Sequence, residues 1–325
     1  MKTICLVIPY FGKFPNYYRL WLESVKYNKD VNFLIVTDNE YAYESLDNVH
    51  VKQTTFEELK NKIQKLYDFK IRIKTSYKLC DFKVAYGEIF EEELRQYDFW
   101  GYCDMDLIFG NIRKYITDEI LDKYEKINCH GHFSLYKNNE ELRTLYRRSF
   151  KDLVSYKSVF SQDWMYHFDE YPGIAYYADY AGIVKIDVEE YADIDRFQFK
   201  FVKVYDHSIK ENDDKDIKQL FYWKDGKLIN LIKSGNQIIE EEKMYVHLQK
   251  RRMKDSVNDL AKGYFIVPNG FIQMSYEAGI ESIDKYSKNI EYDELDKFKK
   301  ECFKQKFSIS YWKMKWVMHN KRWKD

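Results

Sequence analysis

The chain has 325 residues, with 53 Lys+Arg against 53 Asp+Glu, so its formal net charge is zero. At 45% hydrophobic and 33% charged residues it is globular, and long enough to close a core without metal or disulfide staples. Only 12 Gly and 4 Pro occur, against usual shares of about 7% and 5%; this excludes collagen-like and low-complexity chains, and neither glycine-loop phosphate motif is present.

The N-terminal third alternates strands and helices. Ile4–Ile8 reads as a buried strand, and residues 17–27 carry Tyr18, Leu22 and Val25 at helical spacing. Residues 31–36 form a second strand ending at Thr37-Asp38-Asn39, and Leu59, Ile63 and Leu66 mark a helix over 56–66. A helix is expected over 81–96, with Phe82, Ala85, Ile89, Phe90 and Leu94 inward. The apolar run Phe99-Trp100-Gly101-Tyr102-Cys103 then stops at Asp104-Met105-Asp106. This alternation predicts an α/β fold with right-handed crossovers and a mostly parallel sheet. Ligands of such sheets sit at the carboxyl ends of strands, where Asp38 and the Asp104/Asp106 pair lie. Residues 111–270 are less regular, with strand candidates at 49–51 and 264–267.

The five cysteines are scattered without a C-x-x-C pair, which favours a reducing compartment. The first apolar run is too short for a signal-peptide core, and no stretch reaches the roughly 20 apolar residues of a spanning helix. A cytoplasmic protein, soluble or peripheral, is expected. Residues 296–325 hold ten basic and three acidic side chains, net +7, which leaves −7 for the rest. Phe303, Phe307 and Tyr311, and Trp312 and Trp316, recur at intervals of four among the lysines. Such a segment suits an anionic membrane surface, and equally a helix docked on its own domain. An acidic body argues against nucleic acid.

Two carboxylates leaving a strand at alternate positions can share Mg²⁺ or Mn²⁺, and a cation so held neutralises a diphosphate. Without glycine loops, metal and lysines must do that work here. Asp193/Asp195 and Asp214/Asp216 repeat the D-x-D spacing, but they follow no apolar run and read as surface pairs. Only Asp104/Asp106 has a buried strand before it and a second apolar stretch after it. The approach Met244-Tyr245-Val246 to His247 offers a third ligand, with Lys250 or Arg251 facing phosphates; from spacing alone an ordinary surface histidine is slightly favoured. His130 and His132 lack zinc-spaced partners and read as structural or substrate contacts. The stretch 162–171 gathers acids and aromatics, the means by which proteins hold sugars. Asp163, Asp169 and Glu170 are its candidate general bases.

Taken together, Ile4–Tyr10 with Phe11-Gly12, Thr37-Asp38-Asn39, Lys78–Lys83 with Gly87, and Asp98–Gly110 resemble bacterial polysaccharide-biosynthesis glycosyltransferases of the GT-A fold. The resemblance spans residues 1–270, leaving 271–325 as a helical, basic-aromatic appendage. It implies a Rossmann-like sheet, Mn²⁺ or Mg²⁺ on the aspartates and a nucleoside-diphosphate sugar donor, UDP foremost. The acceptor would be a saccharide; a lipid-linked one would account for a tail that meets the inner face of the cell membrane. By the same resemblance Asp106 would ligate the metal, with Asp104 nearer the ribose and His247 as the late ligand. Asp38 would contact base or ribose, Tyr10 and Phe11 would line the nucleotide pocket, and Asp81 and Lys83 would border ribose or phosphate. Similar enzymes often continue after the histidine with Gly-x-x-Lys-Pro, where this chain has Leu248-Gln249-Lys250-Arg251-Arg252. A metal-dependent phosphoryl- or nucleotidyl-transfer enzyme and a non-catalytic carbohydrate-binding protein are the rival readings.

Overall fold

The structure, a computed structural model, describes residues 1–40, 46–171, 173–195, 201–203, 218–234 and 237–287, with 300, 303 and 304. Strands are numbered in chain order. The principal sheet contains β1 (Ile4–Pro9), β2 (Asn32–Thr37), β3 (Val49–Gln53), β4 (Phe99–Cys103), β6 (Lys126–His130), β7 (Phe133–Lys137) and β8 (Lys185–Ile186). Its order is β3-β2-β1-β4-β7-β6-β8. The pairs from β3 to β4 are parallel, and β7 is antiparallel to both its neighbours. The chain steps from β1 outward to β2 and β3, then returns to the other side of β1 for β4. Between β1 and β4 the connections diverge, and there the sheet opens a crevice at its carboxyl edge.

Burial on both faces explains why β1 and β2 are continuous apolar runs rather than alternating ones. Ile4, Leu6 and Ile8 of β1 pack into one core with Trp21 and Phe33, while Cys5 and Val7 enter a second core with Phe82, Trp100 and Tyr102. Helix α1 (Tyr18–Lys26) covers the first face with Leu20, Trp21 and Val25. Helix α2 (Phe56–Gln64) covers the second with Leu59 and Ile63. It begins at a capping box, Thr55 accepting from the Glu58 N–H and Glu58 reaching back to the Thr55 N–H, which satisfies two otherwise unpaired donors of the first turn.

The helix expected over 81–96 is instead a 3₁₀ segment from Ser76 to Ala85, followed by two short α turns, Tyr86–Ile89 and Glu91–Leu94. In a three-residue turn, side chains at i and i+3 eclipse. That alignment brings Lys78 Nζ to 2.7 Å from Asp81 Oδ2, a pair with almost no exposure.

Two further sheets follow. A four-stranded one has order β10-β9-β14-β5, from β5 (Leu107–Phe109), β9 (Tyr191–Ile194), β10 (Phe201–Lys203) and β14 (Tyr245–His247). A six-stranded, mostly antiparallel one has order β13-β12-β11-β16-β17-β15. Its strands are β11 (Lys218–Lys224), β12 (Lys227–Ser234), β13 (Gln237–Glu242), β15 (Lys254–Ser256), β16 (Tyr264–Val267) and β17 (Gly270–Gln273).

The domain boundary expected at 270 is corrected by β17, which crosses it and pairs with β16 and β15. The helix Ile280–Tyr286 then buries Ile283 in a third core with Leu220, Leu231 and Phe265, so residues 271–286 belong to that layer. The basic-aromatic tail of 296–325 lies outside the described residues, apart from 300, 303 and 304. Asp214 and Asp216 also lie outside them. Among the described residues, no helix is long and apolar enough to cross a membrane.

Candidate functional site: an aspartate–aspartate–histidine cluster at the sheet crevice

The crevice between the ends of β1 and β4 holds a cleft of about 440 Å³, within the range of small-molecule sites. Tyr10 and Phe11, just past β1, line one wall, and Asp104 and Asp106, just past β4, line another; Lys83 and Lys250 are also at its surface. Asp38 is not among its lining residues. It accepts from the Gly12 N–H at 3.1 Å while Asn39 Nδ2 donates to the Gly12 carbonyl at 2.7 Å. Gly12 has φ +91°, so this turn requires glycine, and Asp38, an exposed side chain, helps to hold the turn.

Asp81 is corrected as well. It is wholly buried, with its oxygens taken by Lys78 Nζ and by the N–H groups of Tyr166 and Phe168. Its work is to tie the 3₁₀ segment to residues 166–168. The neighbouring Cys80 reaches the cleft instead.

Asp104, Asp106 and His247 present ligand atoms within 4.8 Å of one another, the one such group of three among the described residues. The sheet explains how residues 141 positions apart in sequence meet. β14 pairs antiparallel with β5, setting His247 opposite Leu107, one residue after Asp106. His247 is 7% exposed, which corrects the surface histidine favoured on spacing. Its Nε2 lies 3.4 Å from Asp106 Oδ2 and its Nδ1 lies 3.2 Å from Asp193 Oδ1. Burial works against the imidazolium, but Asp106 and Asp193 overcome it and raise His247 to about 10. Burial would likewise raise Asp106; His247 and Lys250 overcome it and hold the carboxylate at about 2.

Asp106 Oδ2 also accepts from the Lys250 N–H at 2.5 Å. Gln249 and Lys250 both have positive φ, +54° and +56°, unusual for residues with side chains and the device that aims this N–H at the carboxylate. Asp106 Oδ1, by contrast, is buried without a hydrogen-bond partner, a costly state for a carboxylate oxygen. An acceptor of this kind beside a carboxylate and an imidazole fits a divalent cation with oxygen and nitrogen ligands, Mn²⁺ or Mg²⁺.

Behind the aspartates, Lys83 Nζ donates to Asp104 Oδ1 and to the Gly131 carbonyl, both at 2.6 Å, and lies 3.4 Å from Asp169 Oδ2. Burial disfavours this ammonium, yet Asp104 and Asp169 keep it charged well above its ordinary range. Asp169 is 2% exposed. Burial pushes its carboxyl up to about 7, with Lys83 opposing and Glu170 adding to the rise. A Cβ on Gly131 would stand 2.9 Å from Asp169 Oδ2 and 3.2 Å from Glu170 Oε2, so glycine lets both carboxylates close on the strand end.

Of the three candidate bases, then, Asp169 and Glu170 lie together, Glu170 within 3.2 Å of His167 Nδ1. Asp163 stands apart, exposed and paired with Lys74 at 2.5 Å. Asp193, read from sequence as a surface residue, is a contact of the cluster. His132, left between structural and substrate roles, stacks on His247 with ring centroids 4.4 Å apart.

Because Asp169 sits above its unfolded value of about 3.9, the native state binds the extra proton. Its stabilising contribution is therefore present at acid pH and is lost as pH rises through about 7. Asp169→Asn removes that dependence. The variant is expected to gain stability relative to wild type between pH 5 and pH 8, by at most about 3 kcal/mol, since only the two units from pH 5 to about pH 7 fall within the titration. Urea unfolding across that range reads the difference, and a gap that does not change with pH contradicts it.

Fold and site together define a mixed α/β protein with an Asp–Asp–His cluster at the crevice of its main sheet. The chain belongs to a family of unknown function (DUF6625), whose model matches residues 6–275. Comparison with curated proteins gives no match.

Proposed function

We propose that the protein is a metal-dependent glycosyltransferase of GT-A type. It moves a sugar from a nucleoside diphosphate, UDP foremost, to a saccharide acceptor in bacterial surface-polysaccharide synthesis, and it works in the cytoplasm at the inner membrane face. The observation that carries this reading is the Asp104/Asp106/His247 cluster, whose two aspartates line, with Lys83 and Lys250, a cleft at the β1/β4 crevice. Asp106 and His247, with Asp104, would hold Mn²⁺ or Mg²⁺, which supplies positive charge to a diphosphate as it becomes a leaving group.

The rest falls to the chain itself. Tyr10 and Phe11 offer apolar faces for a base or ribose. Lys250, its Nζ 4.4 Å from the Tyr77 ring centroid, adds fixed charge near the diphosphate. Lys83 orients Asp104 through its hydrogen bond to Oδ1. Of the three candidates, Asp169 is the one whose carboxyl is raised to near neutrality, with Oδ1 buried without a hydrogen-bond partner, which suits it to take a proton from an acceptor hydroxyl.

The test is thermal stabilisation by UDP, GDP, CDP and ADP with and without Mn²⁺, followed by hydrolysis of a panel of nucleotide sugars. Stabilisation that requires both nucleotide and Mn²⁺, with release of one sugar, supports the proposal. No shift with any nucleotide, or a shift indifferent to metal, removes it. Turnover of a nucleoside triphosphate in place of a nucleotide sugar would assign the cluster to phosphoryl or nucleotidyl transfer.

A further inference from the structure

We propose that Asp193 is a positioning residue that fixes the His247 ring so that Nε2, and not Nδ1, is the nitrogen offered to a cation. The proposal rests on the reading of Asp104, Asp106 and His247 as a cation site, and not on the identity of the donor.

The argument begins with register. β9 and β14 run parallel with Asp193 directly paired to His247, and directly paired residues project from the same face of a sheet. On the opposite side β14 pairs with β5, whose N-terminal approach carries the aspartates. The imidazole therefore stands between two strands, with one nitrogen toward each. Asp193 Oδ1 is 3.2 Å from Nδ1, and Asp106 Oδ2 is 3.4 Å from Nε2.

Asp193 is itself held. Gln249 Nε2 donates to both of its carboxylate oxygens, at 2.8 and 2.7 Å. An ionised carboxylate only accepts hydrogen bonds; once a cation takes the place of the proton between Nε2 and Asp106, Nδ1, which faces Asp193 and lies 3.3 Å from Gln249 Nε2, keeps its hydrogen and Nε2 offers the lone pair. His132 stacked on the ring face limits tilting, but a face contact does not distinguish the two nitrogens. That choice belongs to Asp193.

A carboxylate behind a ligating histidine sets the tautomer and raises ligand basicity, and its loss costs roughly 10–100-fold in metal affinity. Free Mn²⁺ counted by EPR during titration with MnCl₂ measures that affinity in wild type, Asp193→Asn and Asp193→Ala. Asp193→Ala is expected to weaken Mn²⁺ binding by roughly 10–100-fold. Asp193→Asn, which keeps an acceptor oxygen, should fall between it and wild type.

In ¹⁵N-histidine spectra of the Mg²⁺-saturated protein, His247 should show a protonated Nδ1 and a bare Nε2. Asp193→Ala should lose that uniform pattern, a change that a merely structural role would not produce. Should the alanine variant fail to fold, the asparagine variant carries both measurements.

Affinity within about twofold of wild type in a folded variant, or a loss of affinity with the nitrogen signals unchanged, overturns the proposal. If wild type binds no Mn²⁺, the cation site and this proposal fall together. If it binds Mn²⁺ but no nucleotide, only the donor reading is lost.

Discussion

Asp106→Ala is expected to abolish Mn²⁺-dependent stabilisation by nucleotide and to weaken Mn²⁺ binding by about 100-fold or more, a loss of roughly 3 kcal/mol. The size follows from what the side chain supplies. Oδ2 is in contact with His247 Nε2 and the Lys250 N–H, and Oδ1 is buried with no partner, so one residue contributes both the negative charge and the unsatisfied acceptor. Asp104 and His247 would remain, but two ligands without the buried carboxylate cannot offset the cost of stripping water from a divalent ion. Asp106→Asn separates charge from shape, because its amide oxygen still accepts from the Lys250 N–H. It should retain the fold and lose most of the affinity. Titration of both variants by the Mn²⁺ EPR signal decides the matter; unchanged affinity in either would show that the cation, if bound, is held elsewhere.

Lys83→Met should be the most destabilising single change in the site, at about 3–5 kcal/mol. The Lys83 side chain is 7% exposed and stands between Asp104 and Asp169, so methionine fills the space but leaves two carboxylates without their cation. Their repulsion and desolvation can be relieved by protonation, and Asp169, already raised to about 7, is the group that will take the proton. The deficit should therefore be larger at pH 8 than at pH 5.5. Urea unfolding at the two pH values reads it. A loss below about 1 kcal/mol, the typical worth of an exposed ion pair, would mean that the ammonium contributes little to holding the two carboxylates.

Much of the frame was legible from local pattern. Strands buried on both faces announce themselves as unbroken apolar runs, which is why β1, β2 and β4 fall close to their expected positions. The end of β4 was legible for the same reason, since an aspartate pair is informative when a buried strand delivers it. Asp163, Asp169 and Glu170 were equivalent as carboxylates in one acidic, aromatic stretch. Packing separates them, placing Asp169 under Gly131 and beside Lys83 and leaving Asp163 in an exposed pair with Lys74.

By itself, then, the sequence determined that this is an α/β chain with a strand ending in two carboxylates, that no glycine loop cradles a phosphate, and that charge is divided between an acidic body and a basic tail. These are properties of short windows, because hydrophobic period and residue chemistry are written locally. Tertiary structure alone decided that His247 is buried against Asp106, that Asp193 backs it, and that Asp81 is a structural tie. Each depends on strand register or on a contact between segments far apart in the chain: β14 lies between β5 and β9 only once the sheet has formed, and a one-residue slip would turn His247 to the other face. Spacing along the chain carries no trace of that pairing, so the third member of the cluster and its carboxylate partner emerge from the fold.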